Sequence, residues 1–350
     1  MKRTYIFIFA AMVFLPLSMA LAAAFGPVYI SPDIVAKILL NQTGLFHFTP
    51  NWPSYAAPIV LDVRLPQIVE GAIVGVALAL SGVLFQGLLR NPLADPFLLG
   101  ASSGAALGAT IAFAIPAFYY IAGFYGVPLL AFAGSLLSVA LVYMLARVDN
   151  RAPVVTLLLS GVAVSALLGA AQTIIITQNA AVSDRIGSLY LWLSGGIILN
   201  TWWPIGAVAF IVCAAFVVAA LIAPVLDTFA VGEENAAFLG VRVERAKFGV
   251  VAAASLLVAC AVSLSGLVGF VGLVIPHICR QLIGPKHRPL IIMSLFTGGS
   301  FLIWADTLAR VFMPAFFHTY TELPLGVVTA LIGGPFFLWL LRRSSRTTRA

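Results

Sequence analysis

The sequence predicts an all-α, polytopic membrane protein, and three features carry that prediction. The 350-residue chain is 62% hydrophobic and only 9% charged, whereas a soluble domain has about 25% charged residues. Uncharged runs such as 96–146 and 186–226 are far longer than the elements of a soluble core. A spanning helix needs about 20 apolar residues, and lipid offers the backbone no hydrogen bonds, so each run holds one or two transmembrane helices.

Proline, glycine and charge clusters divide the chain into about ten spans. The predicted positions are 5–25, 66–90, 98–116, 126–147, 153–178, 202–223, 245–264, 267–283, 289–312 and 323–341. The first stretch has the basic start and apolar run of a secretory signal. Its apolar part is long enough to cross a membrane, so we expect it to be retained. The whole chain, 1–350, is then a single transmembrane domain.

The basic residues predict an orientation. When both termini are placed in the cytoplasm, most of the 19 lysines and arginines fall in cytoplasmic segments, as the positive-inside rule requires. This places segment 26–62 outside the membrane and the charge-rich segment 224–244 inside. The net charge of +7 is explained by basic residues that accumulate on the cytoplasmic side of the lipid bilayer, so no nucleic-acid partner is expected.

Motifs for chemistry are scarce. No G-x-x-x-x-G-K-[ST] loop occurs, so we do not expect this chain to hydrolyse ATP. The three cysteines and four histidines lack metal-ligand spacing. We therefore expect no catalytic residue, no metal site and no cofactor bound by this chain. Glu70 lies inside the second predicted span, where an ionisable group is a functional candidate.

Four ordered phrases carry a family resemblance. They are RLPQIVEGAIVGVALALSGVLFQGLLRNPLADPFLLG from Arg64, GLVGFVGLVIPHICRQLIGP from Gly266, ADTLAR from Ala305 and ELPLGVVTALIGGPFFLWLLRR from Glu322. The chain resembles the FecCD family, the permease subunits of type II ABC importers for iron–siderophore complexes, haem and vitamin B12. The resemblance implies a homodimer in the prokaryotic cytoplasmic (inner) membrane. It also implies two copies of a cytoplasmic ATP-binding subunit, which hold ATP and Mg²⁺, and an extracytoplasmic substrate-binding protein.

The resemblance gives the stretch EENAAFLG a role. In the family, the corresponding segment forms a coupling helix that sits in a groove of the ATPase. The stretch favours a helix with small residues for close contact, an apolar knob, an acidic rim and a glycine suited to a left-handed end. The expected coupling residues are Glu233, Glu234, Ala236, Ala237, Phe238, Leu239 and Gly240. The alternative is an ordinary solvated loop that follows the positive-inside rule.

The resemblance also implies contacts on the external side. Arg64 and Arg310 match arginines that pair with carboxylates of the binding protein, which would orient and speed docking. Gln67 replaces the second arginine of the family's common RLPR and puts one contact in doubt. Asp306, four residues before Arg310, is a possible local partner for it. Candidates for lining the pathway are Glu70, Gln172 and Gln178.

The substrate is the least determined feature of the sequence. An iron–siderophore complex is our first expectation, with vitamin B12 or haem carried by the same mechanism as alternatives. An ion-coupled secondary transporter is a further alternative. GVALALSG (75–82) and ACAVSLSG (259–266) form a short internal echo in spans of opposite direction, as inverted transporter repeats do. Against it, carboxylates inside the spans are nearly absent.

Overall fold

A computed structural model describes residues 2–115, 117–118, 126–149, 151–197, 201–318 and 321–347, and these residues form helices and connecting turns without a strand. The helices are α1 (Lys2–Ala22), α2 (Pro32–Gln42), α3 (Ala56–Leu88), α4 (Ala101–Ala114), α5 (Gly126–Ala146), α6 (Val154–Gln178), α7 (Ala180–Ser183), α8 (Ile186–Leu193), α9 (Trp202–Phe229), α10 (Glu233–Phe238), α11 (Val243–Ser265), α12 (Val271–Ile283), α13 (His287–Phe317) and α14 (Leu325–Thr347).

The predicted all-α polytopic fold is confirmed. Among the described residues, eight helices are long and apolar enough to cross a membrane, and α4 and α12 are shorter apolar helices at the remaining two predicted positions. The main correction is at α9, which runs through Pro224 to Phe229 instead of ending near 223. Leu226 and Phe229 are buried, and their burial offsets the hydrogen bond that a proline removes. The connecting loop is therefore 230–242 rather than 224–244.

Helix α3 is the centre of the bundle and packs against α9, α11, α12 and α13. Its closest approaches are made by glycines. A methyl group on Gly75 would overlap the carbonyl of Gly298 on α13, and one on Gly82 would overlap the backbone of Gly272 on α12. Lipid removes the hydrophobic drive between helices, so close backbone packing of this kind holds them together.

A second glycine contact joins α4 and α5. Gly104 lies against the backbone of Gly134, and Gly108 against the backbone of Leu130. The sequence GASSGAALG places these two glycines four residues apart on one helix face, which indicates a flat surface for close packing. The structure confirms that interpretation.

Helices α11 and α12 are separated by an irregular stretch, residues 266–270. Gly266 and Phe270 have φ angles of 63° and 68°. The backbone N–H of Gly196, just after α8, donates to the carbonyl of Ser265 at 2.8 Å, and the N–H of Leu325 donates to the carbonyl of Gly195 at 2.9 Å. Irregular backbone at membrane depth needs hydrogen-bond partners inside the protein. Gly196 supplies one to Ser265 at the end of α11, and the start of α14 in turn supplies donors to Ser194 and Gly195.

The bundle has two ends, which we call the α2 face and the α10 face. Helix α3 begins beside α2, and its last turn lies beside the start of α13, where Gly87 contacts His287. Four helices lie at the periphery of the bundle. In the most apolar 18 residues of each, the buried share is 17% in α1, 17% in α6, 22% in α9 and 28% in α14. Their exposed sides are available to lipid or to another chain.

Candidate functional site

The α10 segment, residues 230–242, forms a short helix closed at both ends by glycine. Gly232 precedes the helix with φ 116°, and Gly240 follows it with φ 83°. The N–H of Val241 donates to the carbonyl of Ala236 at 3.1 Å, and the N–H of Gly240 donates to the carbonyl of Ala237 at 2.9 Å. This is a Schellman-type end, which requires a left-handed residue. The predicted left-handed conformation of Gly240 is confirmed.

The α10 segment presents an apolar knob, Phe238 and Leu239. Their side chains are 89% and 71% exposed, and Ala237 beside them is also exposed. Ala236, by contrast, has no exposed surface. The expectation that both alanines offer close contact to a partner is therefore corrected, since Ala236 packs against the body of this chain. The surface left for a partner is Ala237, Phe238 and Leu239.

The two acidic residues of α10 also differ. Glu234 is exposed, as the predicted acidic rim requires. Glu233 instead turns toward the bundle, where its carboxylate lies 2.6 Å from the Nζ of Lys247 on α11. Lys247 is only 2% exposed. The placement of Glu233 on the rim is thus wrong, because a buried cation needs a counter-charge and Glu233 supplies one.

Arg64 does not face a partner. It is 3% exposed, and its guanidinium donates to the carbonyl of Ala23 at 2.7 Å and to the carbonyl of Val28. The last carbonyls of a helix lack intrahelical donors, and Arg64 supplies one to Ala23, directly after α1, and another to Val28 in the segment that follows. This corrects the expectation that Arg64 pairs with a carboxylate of the binding protein. Its donors are used within the chain.

A cavity of about 350 Å³ opens at the α2 face between α3, α8, α13 and the start of α14. Polar groups in its lining come from Gln67, Asp306, Arg310 and Glu322, beside the indole of Trp192. Arg310 Nε lies 2.9 Å from Asp306 Oδ2, and both side chains are buried. The predicted local pair is present. Arg310 reaches this cavity while already engaged in an ion pair.

We predict that Asp306→Asn destabilises the protein by about 3–5 kcal/mol, because it leaves the Arg310 guanidinium buried without a counter-charge. Replacing the pair by apolar residues, as in Asp306→Leu with Arg310→Met, should restore most of that loss. Thermal unfolding in detergent measures both. Glu322→Gln is the control, since Glu322 lines the same cavity but is exposed. Equal stability of Asp306→Asn and the unmodified protein would contradict the prediction.

The three pathway candidates occupy different environments. Glu70 on α3 is fully buried inside this chain, so it does not line an open passage in this conformation. The amide of Gln172 on α6 donates to Thr110 Oγ1 of α4 at 3.2 Å and so joins two helices. Gln178, at the end of α6, is exposed. Of the three, Gln178 is exposed and Gln172 half-buried, so both stay candidates for lining a path, whereas Glu70 does not.

Sequence reasoning missed Lys247. The available signal was a lysine three residues after Glu244 in the first turn of a span, since a charge near lipid needs a partner. Trp192 of the cavity carried no comparable signal. Across the described ranges, His, Cys, Asp and Glu do not cluster in threes that could hold a metal ion.

The part of the chain that the structure describes has ten apolar helices, a cavity at one end and an exposed apolar knob at the other, which is the architecture of a multi-pass membrane protein. Residues 13–343 match the FecCD transport family, and the chain belongs to that family. The predicted resemblance is confirmed.

The relatives agree with this assignment. The cobalamin import system permease protein BtuC of Halobacterium salinarum is 44% identical over 83% of this chain and 75% of its own length. The hemin transport system permease protein HmuU of Yersinia pestis is 38% identical over 81% and 83%. A solved structure assigned to the metal-chelate type of ABC transporter, in an inward-facing conformation, superposes with a TM-score of 0.80 at 26% identity. It covers 96% of this chain and 98% of that one.

Proposed function

We propose that this chain is the permease subunit of an ABC importer that moves a bulky metal chelate across the prokaryotic cytoplasmic (inner) membrane. The α10 face is cytoplasmic and the α2 face external, with both termini in the cytoplasm. ATP and Mg²⁺ bind to a separate ATPase, present in two copies. A substrate-binding protein delivers the chelate outside. The family match over residues 13–343 is the observation that carries this proposal.

The α10 segment supports an ATPase contact. A large aromatic side chain exposed to 89% on a helix with fixed ends is unfavourable in water and suited to a pocket on a partner. Buried aromatic anchors supply most of the affinity in protein interfaces. The alternative of an ordinary solvated loop accounts for the charges of this segment but not for Phe238 and Leu239.

The size of the external cavity supports a homodimer. About 350 Å³ is near the lower end of the 300–1,000 Å³ typical of small-ligand pockets, and a chelate of the size of vitamin B12 does not fit. We therefore propose that the path runs between two copies of this chain. Helix α6 carries the exposed polar residues Thr173, Thr177 and Gln178, which suit a partner or a water-filled path better than lipid. We propose that α6 lines this path.

Two chelate classes are the main candidates, and haem stays a third, in keeping with the 38% identical relative named a hemin permease. An iron–siderophore complex remains our first proposal, in keeping with relatives such as the Fe(3+) dicitrate permease protein FecD of Escherichia coli, 35% identical over 81% of this chain. Cobalamin is the second, because the 44% identical relative is named a cobalamin permease. Both classes are bulky metal chelates, so the same path serves either.

The test is uptake by proteoliposomes that contain the chain, its ATPase and its binding protein. We expect ATP-dependent accumulation of either ferric siderophore or cobalamin. The rate of uptake should saturate only with the chelate class that the binding protein recognises. An ATPase variant unable to hydrolyse ATP is the control and should show no uptake. Uptake that persists with that variant, and stops when proton and sodium gradients are collapsed, would overturn the proposal in favour of a secondary transporter.

A further inference from the structure

Lys247 joins three separate parts of the protein at the α10 face. Its Nζ lies 2.6 Å from Glu233 of α10 and 3.2 Å from Glu244 of α11. It also donates to the carbonyl of Ala152, 95 residues away in sequence, at 3.2 Å. A lysine ammonium has three donors and no acceptor, so these three partners use its full capacity. At 2% exposure it has little access to water as a substitute.

Ala152 is held from both sides of its peptide. While its carbonyl accepts from Lys247, its N–H donates to the second carboxylate oxygen of Glu244 at 3.0 Å. Ala152 belongs to the turn between α5 and α6, residues 147–153. That turn is closed by two backbone hydrogen bonds of 2.9 Å between Val148 and Arg151. Its described residues, 147–149 and 151–153, are therefore held by their own hydrogen bonds and by Glu244 of α11 and, through Lys247, are tied to α10.

The cluster gathers charged side chains at the contact between α10, α11 and the α5–α6 turn. Its one cation, Lys247, is buried. The side chains of Glu233 and Glu244 are 32% and 34% exposed. Charge-assisted hydrogen bonds are shorter and stronger than neutral ones, and a low local dielectric strengthens them further. Removing the cation or either carboxylate leaves the others poorly compensated, so the three segments are expected to move together.

We infer that Lys247 is a positioning residue that transmits displacement of α10 to the α5–α6 turn and so to α6. The inference rests on the proposed function, in which the ATPase moves α10. Lys247 touches neither chelate nor nucleotide. It makes the α10 segment, the first turn of α11 and the beginning of α6 one mechanical unit. Without Lys247, a displacement of α10 no longer moves the α5–α6 turn.

The decisive variant is Glu233→Gln, which loosens α10 from the joint while Lys247 keeps Glu244 and Ala152. The matched control is Asp33→Asn, which breaks a Lys–carboxylate pair of 3.5 Å with Lys37 in exposed α2. Both are studied in the complete complex in proteoliposomes. The readouts are chelate transported per ATP hydrolysed, and ATP-induced distance changes between copies from spin labels at Val231 of the α10 segment or Val148 of the turn, both exposed. Exposed Cys213 is first replaced by serine.

We expect Glu233→Gln to assemble, hydrolyse ATP and shift the Val231 label normally, while the Val148 label loses its shift and transport per ATP falls about tenfold, within the usual range of coupling. Asp33→Asn should match the unmodified complex in all readouts. Lys247→Arg, which keeps the positive charge, should retain more transport per ATP hydrolysed than Lys247→Met. A Val148 label that still shifts fully in Glu233→Gln would overturn the joint. Failure of the unmodified chain to bind its ATPase would overturn the proposed function, and the joint with it.

Discussion

Replacing Phe238 and Leu239 together by glutamate is expected to abolish ATP-driven uptake while leaving the protein folded in the membrane. Both side chains are exposed, at 89% and 71%, so the fold gains little from them. An anchor residue in an interface contributes about 2 kcal/mol or more, which is roughly thirtyfold in affinity. Losing two anchors and adding two charges to a desolvated groove should prevent assembly at cellular concentrations.

The measurements are co-purification of the ATPase with the tagged chain and uptake in proteoliposomes. Leu45→Glu is the matched control. Leu45 is 80% exposed and lies in the loop after α2, at the opposite face, so the same change in chemistry should leave ATPase binding intact. Retention of the ATPase by the Phe238 and Leu239 variant would show that the α10 segment is not the main contact.

Gly82→Ala is expected to cause a large loss of stability. The new methyl would overlap the carbonyl oxygen, carbonyl carbon and Cα of Gly272. These are backbone atoms, which cannot rotate away as a side chain can. Overpacking a core costs about 1–3 kcal/mol and occasionally more. Here α3 and α12 must separate to relieve it, so we expect the upper end of that range or beyond.

Gly169→Ala on α6 provides the comparison. A methyl group there meets no atom within 4 Å, and alanine is about 1 kcal/mol more favourable than glycine inside a helix. Thermal unfolding in detergent should therefore show a lower midpoint for Gly82→Ala and an unchanged or higher one for Gly169→Ala. Similar midpoints for both variants would mean that the helices adjust freely, and that the α3–α12 contact does not limit stability.

The sequence predicted features that depend on neighbours along the chain. Span positions follow from long uncharged runs, which lipid selects directly. The left-handed conformation of Gly240 follows from its position directly after a short helix, where a glycine commonly ends the helix. The Asp306–Arg310 pair follows from helical spacing. In each case the residues that determine the structure are within a few positions of one another.

Features that depend on distant partners could not be predicted in this way. Arg64 lies just before the predicted span at 66–90 but inside the observed helix α3, and its use depends on the carbonyls of Ala23 and Val28 in the segment after α1. Glu233 turns inward because of Lys247, and Lys247 is buried because Ala152 comes to it from another turn. No spacing rule relates such positions.

The central position of α3 has a consequence for biosynthesis. Its glycines Gly75 and Gly82 contact α13 and α12, which leave the ribosome about 200 residues later, roughly ten to forty seconds at usual synthesis rates. During that interval this helix stands in the bilayer without its final neighbours. We therefore expect the packing of α3 to be completed only after the later helices arrive.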